Sequence, residues 1–239
     1  MTRKNADCLT FFLRNRKIGT SIALLLITNI TLAQSADSLT KFSSLKPEPP
    51  IPVELFAGGT GLNFQLVLSK PVVSGSRFGF LNVTAFFADY GNDTSKNEYI
   101  SQSFLTTHLW KGFSINVGVS INYFSGFRPT AGLQYVFANK SLFVLLLPRF
   151  DLTETNNLET FGLIEYRPRF TKKWGLYTRV QNLLNYSTEL GVHERSHTYF
   201  RAGASYTNFQ FGIGTNIDFF GPEKISGTSF GVFFRVEIF

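Results

Sequence analysis

The clearest pattern in the sequence is an alternation of apolar and polar residues from Phe113 to Tyr123. The odd positions are large and apolar or aromatic, and the even positions are Ser, Asn or Gly. Because successive side chains of a strand point to opposite faces, this pattern predicts a strand with one apolar and one polar face. At ~3.3 Å per residue the segment extends about 36 Å, enough to cross a bilayer core at a tilt near 45°. The polar face lacks charge, which favours an enclosed lumen over open water.

The chain from Val53 onward predicts strands and turns without helical periodicity. Leu62 to Leu68 and Phe209 to Phe219 alternate in the same way as the segment above. Eleven strands are clear, and because single-chain bacterial barrels have an even number, the short segment Val53 to Ala57 supplies a twelfth. The predicted fold is all-β: a single antiparallel transmembrane up-and-down β-barrel of about 12 strands, with ten as the alternative. Short turns are expected at one end and longer polar loops, such as 185–196, at the other.

The composition supports a membrane barrel. Of the 239 residues, 16% are aromatic and only 16% are charged, against ~25% charged in typical soluble domains. No run of eighteen apolar residues follows the N-terminal region, which argues against membrane-spanning helices. A soluble lipocalin-like barrel is the outside alternative, but its strands should carry charges outward, whereas lysine here is concentrated in turns and termini.

Residues 1–33 are predicted to be a cleaved signal peptide. A basic segment precedes the apolar stretch Ile18 to Leu32, and Thr31-Leu32-Ala33 before Gln34 forms a cleavage site with small residues. An N-terminal membrane anchor is the alternative. Cleavage removes five of the 23 basic and one of the 16 acidic residues, leaving 18 and 15, a net charge of +3. The apparent basicity therefore gives no indication of a nucleic-acid partner. Residues 34–52, rich in proline, are predicted to be a periplasmic tail, and 53–239 the barrel.

The last residue of the sequence is an aromatic one, Phe239. The chain looks like bacterial outer-membrane β-barrel proteins, whose last strand ends in an aromatic residue that the assembly machinery reads. The segment Thr31 to Gln34 resembles leaders common in Bacteroidota. The resemblance implies an outer-membrane location, contact with outer-membrane lipid and with the barrel assembly machinery, and Phe239 as the assembly signal. One departure is that Phe239 is out of phase with the apolar positions of the last strand, Val232, Phe234, Val236 and Ile238.

The sharpest motif match is His193-Glu194-Arg195-Ser196-His197, which fits the H-E-x-x-H pattern of zinc peptidases. That pattern works on a helix, where residues four apart share one metal; on a strand they are ~13 Å apart. The motif is predicted to lie in a loop, so His193 and His197 are at most a weak loop candidate for metal, and no metal or other cofactor is predicted.

The polar phase of the strands predicts a charge network in the lumen. It could be a salt-bridge network that fills the interior, a narrow pore in which an excess of arginine favours anions, or a catalytic cluster. The predicted members are Arg149, Glu165, Arg167, Arg179, Arg201, Asp218, Arg235 and Glu237.

Two apolar features add to this interpretation. The run Leu142 to Leu147 breaks the alternation. It predicts either an apolar patch inside the barrel that could hold a lipid-like ligand, or packing against a plug in the lumen or against the tail formed by residues 34–52. Aromatic residues near predicted strand ends predict girdles at the two membrane interfaces: Tyr90, Trp110, Tyr123, Trp174, Tyr199 and Phe220.

The predicted function is a passive one, a narrow channel or a structural or envelope-assembly component, without enzymatic activity. A barrel that binds or passes a hydrophobic small molecule is one alternative. A barrel lipid hydrolase is another, but it needs a Ser–His pair, and no predicted strand carries a His-x-Ser arrangement. His108 is the only histidine in a predicted strand and is interpreted as an interfacial or lumen residue.

Overall fold

The computed structural model describes residues 49–239, which form twelve strands. Residues 1–48, with the predicted signal peptide and most of the predicted tail, lie outside the described residues. The first strand begins at Ile51, two residues before the predicted start of the barrel. The strands are β1 Ile51–Gly58, β2 Gly61–Pro71, β3 Phe78–Asp89, β4 Glu98–Trp110, β5 Phe113–Asn122, β6 Gly126–Ala138, β7 Leu142–Asp151, β8 Asn157–Tyr166, β9 Trp174–Ser187, β10 Val192–Tyr206, β11 Phe209–Phe220 and β12 Ile225–Ile238.

The strands close into one antiparallel barrel. Each strand pairs with its neighbours in the sequence, and β1 also pairs with β12, from Ile51 opposite Ile238 to Gly58 opposite Gly231. Closure removes the unpaired edges that an open sheet would expose. The prediction of an all-β up-and-down barrel is confirmed, with twelve strands rather than ten.

The connections are short at both ends, so the prediction of long loops at one end is wrong. The longest connection, 90–97, has eight residues, and the predicted loop 185–196 is mostly strand, because β9 runs to Ser187 and β10 begins at Val192. Connection 90–97 contains a short 3-10 helix, Thr94–Lys96. Hydrogen bonds from Ser95 lower the pKa of the Asp93 carboxyl that caps it. Within residues 49–239, no helix is long and apolar enough to cross a membrane.

The strand faces follow the alternation seen in the sequence. On β5, the side chains of Asn116 and Ser120 are 0% exposed, whereas Val117 between them is 54% exposed. Large apolar side chains that are exposed on the outside occur on all twelve strands, for example Leu105 on β4 and Ile213 on β11. On most strands the polar rows therefore point into the barrel and the apolar rows point outward, whereas parts of β3 and β4 have the reverse arrangement.

An apolar core fills part of the interior. Leu145 and Leu147 of β7 pack with side chains from β3, β4 and β8 on other parts of the wall, namely Leu81, Phe104, Phe161 and Leu163. The run Leu142 to Leu147 breaks the alternation because its inward residues join this core while Leu146 points outward. Of the two predictions for this run, core packing is closer, but its partners are other strands of the barrel.

Candidate functional site

The interior of the barrel is held together by ion pairs. Seven arginines and seven carboxylates take part, so the formal charge of the network is zero. The predicted excess of arginine is therefore absent from this network. The arginines are Arg128, Arg149, Arg167, Arg179, Arg195, Arg201 and Arg235, and the carboxylates are Glu54, Glu98, Asp151, Glu159, Glu165, Asp218 and Glu237.

Glu54 of β1 lies between two arginines of other strands. Its Oε1 atom accepts hydrogen bonds from Arg179 Nη2 at 2.6 Å and from Arg201 Nε at 2.9 Å. The Arg201 guanidinium also lies 4.1 Å from the centroid of the Phe56 ring, a cation–π contact. All three charged side chains are at most 4% exposed. One carboxylate thus connects β1 with β9 and β10 through the interior.

A second group surrounds Glu165 of β8. Arg235 of β12 lies 3.4 Å from Glu165 and 3.2 Å from Glu237, and Arg167 contacts both carboxylates. The Tyr177 hydroxyl donates a hydrogen bond to Glu165 Oε1 at 3.1 Å. These contacts link β8, β9 and β12 near the end of the barrel where β1 begins and β12 ends.

A third group surrounds Arg149 of β7, which is 2% exposed. Its guanidinium pairs with Asp151 and, at 2.8 Å, with Glu159. Arg128 Nη1 lies 2.9 Å from Asp151 Oδ2. Gln102 of β4 donates to Glu159 Oε1 at 2.9 Å, a buried hydrogen bond between β4 and β8. Two separated parts of the wall, four strands apart, are therefore joined at this level.

Arg195 of β10 forms the fourth group. It pairs with Glu98 of β4 and, at 3.0 Å, with Asp218 of β11. Tyr199 donates its hydroxyl proton to Asp218 at 3.1 Å, so its prediction as a girdle residue is wrong. Tyr199 lies two residues before the inward Arg201, and residues two apart on a strand share a face. The centroid of the Phe220 ring lies 4.9 Å from Cζ of the Arg195 guanidinium, so Phe220 packs against Arg195 instead of lying at a membrane interface.

The other four predicted girdle residues lie at the ends of strands and are exposed. Trp110 stacks on Phe113 at 4.8 Å between ring centroids, and Trp174 packs on Tyr206 at 4.7 Å, both at the end that carries the first residue of β1. Tyr90 and Tyr123 lie at the opposite end. Phe239 follows the last residue of β12 and is exposed.

One end of the lumen opens into a cavity of about 210 Å³. His108, Arg77 and Gln134 are among the residues that line it. The next inward residues along β3 and β4 are Leu81 and Phe104, both buried in the apolar core. The apolar core therefore lies next to the inner side of this cavity, which we call the vestibule.

The H-E-x-x-H residues lie on β10, so their placement in a loop is wrong. His197 points inward and stacks on Tyr199 at 4.1 Å between ring centroids. His193 is 8% exposed, and its ring nitrogens contact Gly221 O at 2.7 Å and Ser196 Oγ at 3.0 Å. No cluster of three or more His, Cys, Asp or Glu side chains able to hold a metal ion occurs within residues 49–239.

Several residues of the interior network were missed by reasoning from the sequence. Asp151 is the last residue of β7, Arg195 lies in the predicted loop 185–196, and Glu54 lies on the short candidate strand Val53 to Ala57. Each of the three lies an even number of positions from an inward residue: Asp151 from Arg149, Arg195 from Arg201, and Glu54 from Phe56. Because residues an even number apart on a strand share a face, extending the strands would have predicted inward side chains at all three positions. The contact of His193 with Ser196 had no such signal, because it depends on an extra residue in β10.

Comparisons with known proteins give likenesses of fold. No model of a known protein family matches the sequence, and no curated protein matches it. Among solved structures, the chain is similar to "KdgM porin", with a TM-score of 0.44, 16% identity, and coverage of 79% of this chain and 99% of that one. It is also similar to the NanC porin, with a TM-score of 0.47, 11% identity, and coverage of 80% and 100%. Likenesses at this level assign no function, which has to come from the contacts of the chain itself.

Proposed function

We propose that the chain is an integral outer-membrane β-barrel whose lumen is closed and whose role as a barrel is structural. Two features of the surface support the membrane location: the outward rows of large apolar side chains on every strand, and the exposed aromatic residues at both ends. In this proposal outer-membrane lipid covers the apolar rows, and the barrel assembly machinery inserts the chain by reading its C-terminal strand and Phe239.

The observation that supports a closed lumen is the set of contacts between strands that are distant from each other in the barrel. Glu54 holds β1 to β9 and β10, Gln102 holds β4 to β8, and Arg195 holds β10 to β4. The apolar core fills the space beside these contacts. Buried ion pairs with a neutral total charge also remove the electrostatic selectivity that an arginine-lined pore would have.

The proposal predicts an outer-membrane protein without pore conductance. After cell fractionation, the folded protein should be recovered with the outer membrane, and its reconstitution into a planar bilayer should produce no discrete current steps. A general porin in the same bilayer serves as the positive control. Steps that scale with the amount of folded protein would contradict the closed lumen and would favour the narrow channel, while recovery from the soluble periplasm would contradict the membrane location.

A further inference from the structure

An irregularity in β10 brings a serine and a histidine together on the outside of the barrel. The pairing of β10 with β9 skips one residue: His193 lies opposite Tyr186, but Arg195 lies opposite Asn185. The extra residue, Glu194, is a β-bulge. In a regular strand, residues three apart point to opposite faces; here the bulge places His193 and Ser196 on the same face, opposite Tyr186 and Leu184. Tyr186 and Leu184 are exposed on the outer surface.

The contacts of His193 define its tautomer. Nδ1 lies 2.7 Å from the carbonyl oxygen of Gly221, and because a carbonyl can only accept, Nδ1 carries the proton and donates it. In the neutral form of the ring the lone pair is then on Nε2, which lies 3.0 Å from Ser196 Oγ and can accept its hydroxyl proton. Gly221 belongs to the connection between β11 and β12. Its N–H donates a hydrogen bond to Glu194 O at 2.8 Å, and this contact holds the Gly221 carbonyl next to the bulge.

From this geometry we propose that Ser196 and His193 form the nucleophile and the general base of a serine hydrolase that cleaves acyl esters. A nucleophile in hydrogen-bond contact with a base, and a base oriented by a third group, are the arrangement that activates a serine. The Gly221 carbonyl positions the ring but supplies no negative charge, unlike the carboxylate of a complete triad. The interior of the barrel takes no part in this activity, which belongs to the outer face.

The reaction proceeds in two steps that together consume one water. In the first, Ser196 Oγ attacks the ester carbonyl carbon, its proton moves to His193 Nε2, and the carbon–oxygen bond to the alcohol breaks as Nε2 returns the proton to the departing oxygen. In the second, water attacks the acyl-serine, Nε2 takes a proton from the water, and the acyl–Oγ bond breaks as Oγ regains that proton. The products are a carboxylic acid and an alcohol.

A donor for the oxyanion lies on the same face. Asn182 of β9 is opposite Thr198, two residues after Ser196, so the two positions are diagonal neighbours. Thr198 Oγ1 donates to Asn182 Oδ1 at 2.7 Å. The amide NH₂ of Asn182, which is exposed, is then the group directed to solvent or substrate. Side-chain amides serve as oxyanion donors in acyl transfer.

The position of Ser196 selects the substrate class. Ser196 is the fifth residue of β10, about 10 Å below the rim at ~3.3 Å per residue and a tilt near 40°. Its cross-strand neighbours Leu184 and Phe219 are apolar, so the polar group of the proposed site is bordered by apolar side chains. With the rim at the outer edge of the headgroup layer, which is about 5–8 Å thick on each side of the hydrocarbon core, Ser196 would lie near the boundary between the lipid ester groups and that core. The substrate is therefore an amphiphile with an acyl ester; this part of the inference rests on the proposed membrane location.

The test combines covalent labelling with two substrates. The folded full-length protein in detergent is treated with a fluorophosphonate, and the modified residue is located by mass spectrometry. We expect an adduct on Ser196, hydrolysis of p-nitrophenyl octanoate in detergent, and release of fatty acid from phosphatidylethanolamine vesicles. Ser196→Ala should abolish labelling and reduce both hydrolyses to background, His193→Gln should reduce them at least 100-fold, and Asn182→Ala should lower hydrolysis while labelling of Ser196 persists.

Matched controls separate catalysis from loss of fold. Ser101→Ala removes an outward hydroxyl on β4, and His108→Gln removes a histidine in the vestibule; both should leave hydrolysis unchanged within twofold. Heat-modifiable migration on a gel reports whether each variant is folded. Absence of an adduct on Ser196 in folded wild-type protein would overturn the proposal and leave a structural hydrogen bond only. Hydrolysis in detergent without hydrolysis of vesicles would retain the dyad and overturn the lipid substrate.

Discussion

Replacement of Glu54 by glutamine should destabilise the barrel by about 3–5 kcal/mol, the range found when one partner of a buried ion pair is removed. Glu54 is the only carboxylate that pairs with Arg179 or Arg201 within residues 49–239, and all three side chains are buried. Its neutralisation leaves two guanidinium groups close together, without a directly paired carboxylate and out of contact with bulk water. The free energy of unfolding, measured by urea titration of the folded protein in lipid vesicles, should fall accordingly.

The control for this substitution is Glu223→Gln. Glu223 is exposed in the connection between β11 and β12, so the same chemical change there should alter the free energy of unfolding by less than about 0.5 kcal/mol. If Glu54→Gln is no more destabilising than Glu223→Gln, Glu54 is hydrated or unpaired, and the closed interior would be contradicted at its centre.

Phe104→Ala should lower the free energy of unfolding by about 3–5 kcal/mol, because it leaves a cavity in the apolar core of the lumen. Phe104 is 0% exposed and packs with Leu81 and Leu147. Its neighbour Leu105 is 61% exposed on the outer surface. Leu105→Ala should cost only about 1–2 kcal/mol, since lipid chains occupy the space of the missing methyl groups and no cavity forms.

The pair is a useful comparison because the two residues are adjacent on β4, are both large and apolar, and point to opposite faces. Urea titration in vesicles gives both values from the same preparation. A larger decrease in the free energy of unfolding for Leu105→Ala than for Phe104→Ala would mean that the packed core and the lipid-covered surface had been assigned to the wrong sides of the strand.

Much of the fold could be predicted from local pattern. The alternation in β5 and β11 depends only on which side chains point into the barrel and which point outward, so it is visible in the sequence alone. The strand number followed from the requirement that a barrel closes with both termini at one end. The ends of the strands were less predictable, because polar residues such as Asp151 and Arg195 are typical of loops and reveal themselves as inward-facing only through partners on other strands.

The pairing of charges could not be predicted, for a physical reason. Parity places an arginine inside the barrel but does not select its carboxylate, and the pair of Arg201 with Glu54 joins residues 147 positions apart. Likewise, no local pattern indicates that Glu194 is the extra residue of a β-bulge, because a bulge is defined by the register of two strands. The contact of His193 with Ser196, and with it the proposed dyad, follows from that register alone.

We infer that the apolar rows face lipid and that the barrel interior does not. The most direct measurement is nuclear Overhauser contact between lipid acyl protons and the methyl groups of the wild-type protein, labelled at Ile, Leu and Val, in lipid nanodiscs. We predict cross-peaks to lipid for Ile115, Val117 and Ile121 of β5, and none for the interior residues Leu81, Leu145, Leu147 and Leu163. Lipid contacts at those leucines, with water contacts instead at Ile115, Val117 and Ile121, would contradict the claim.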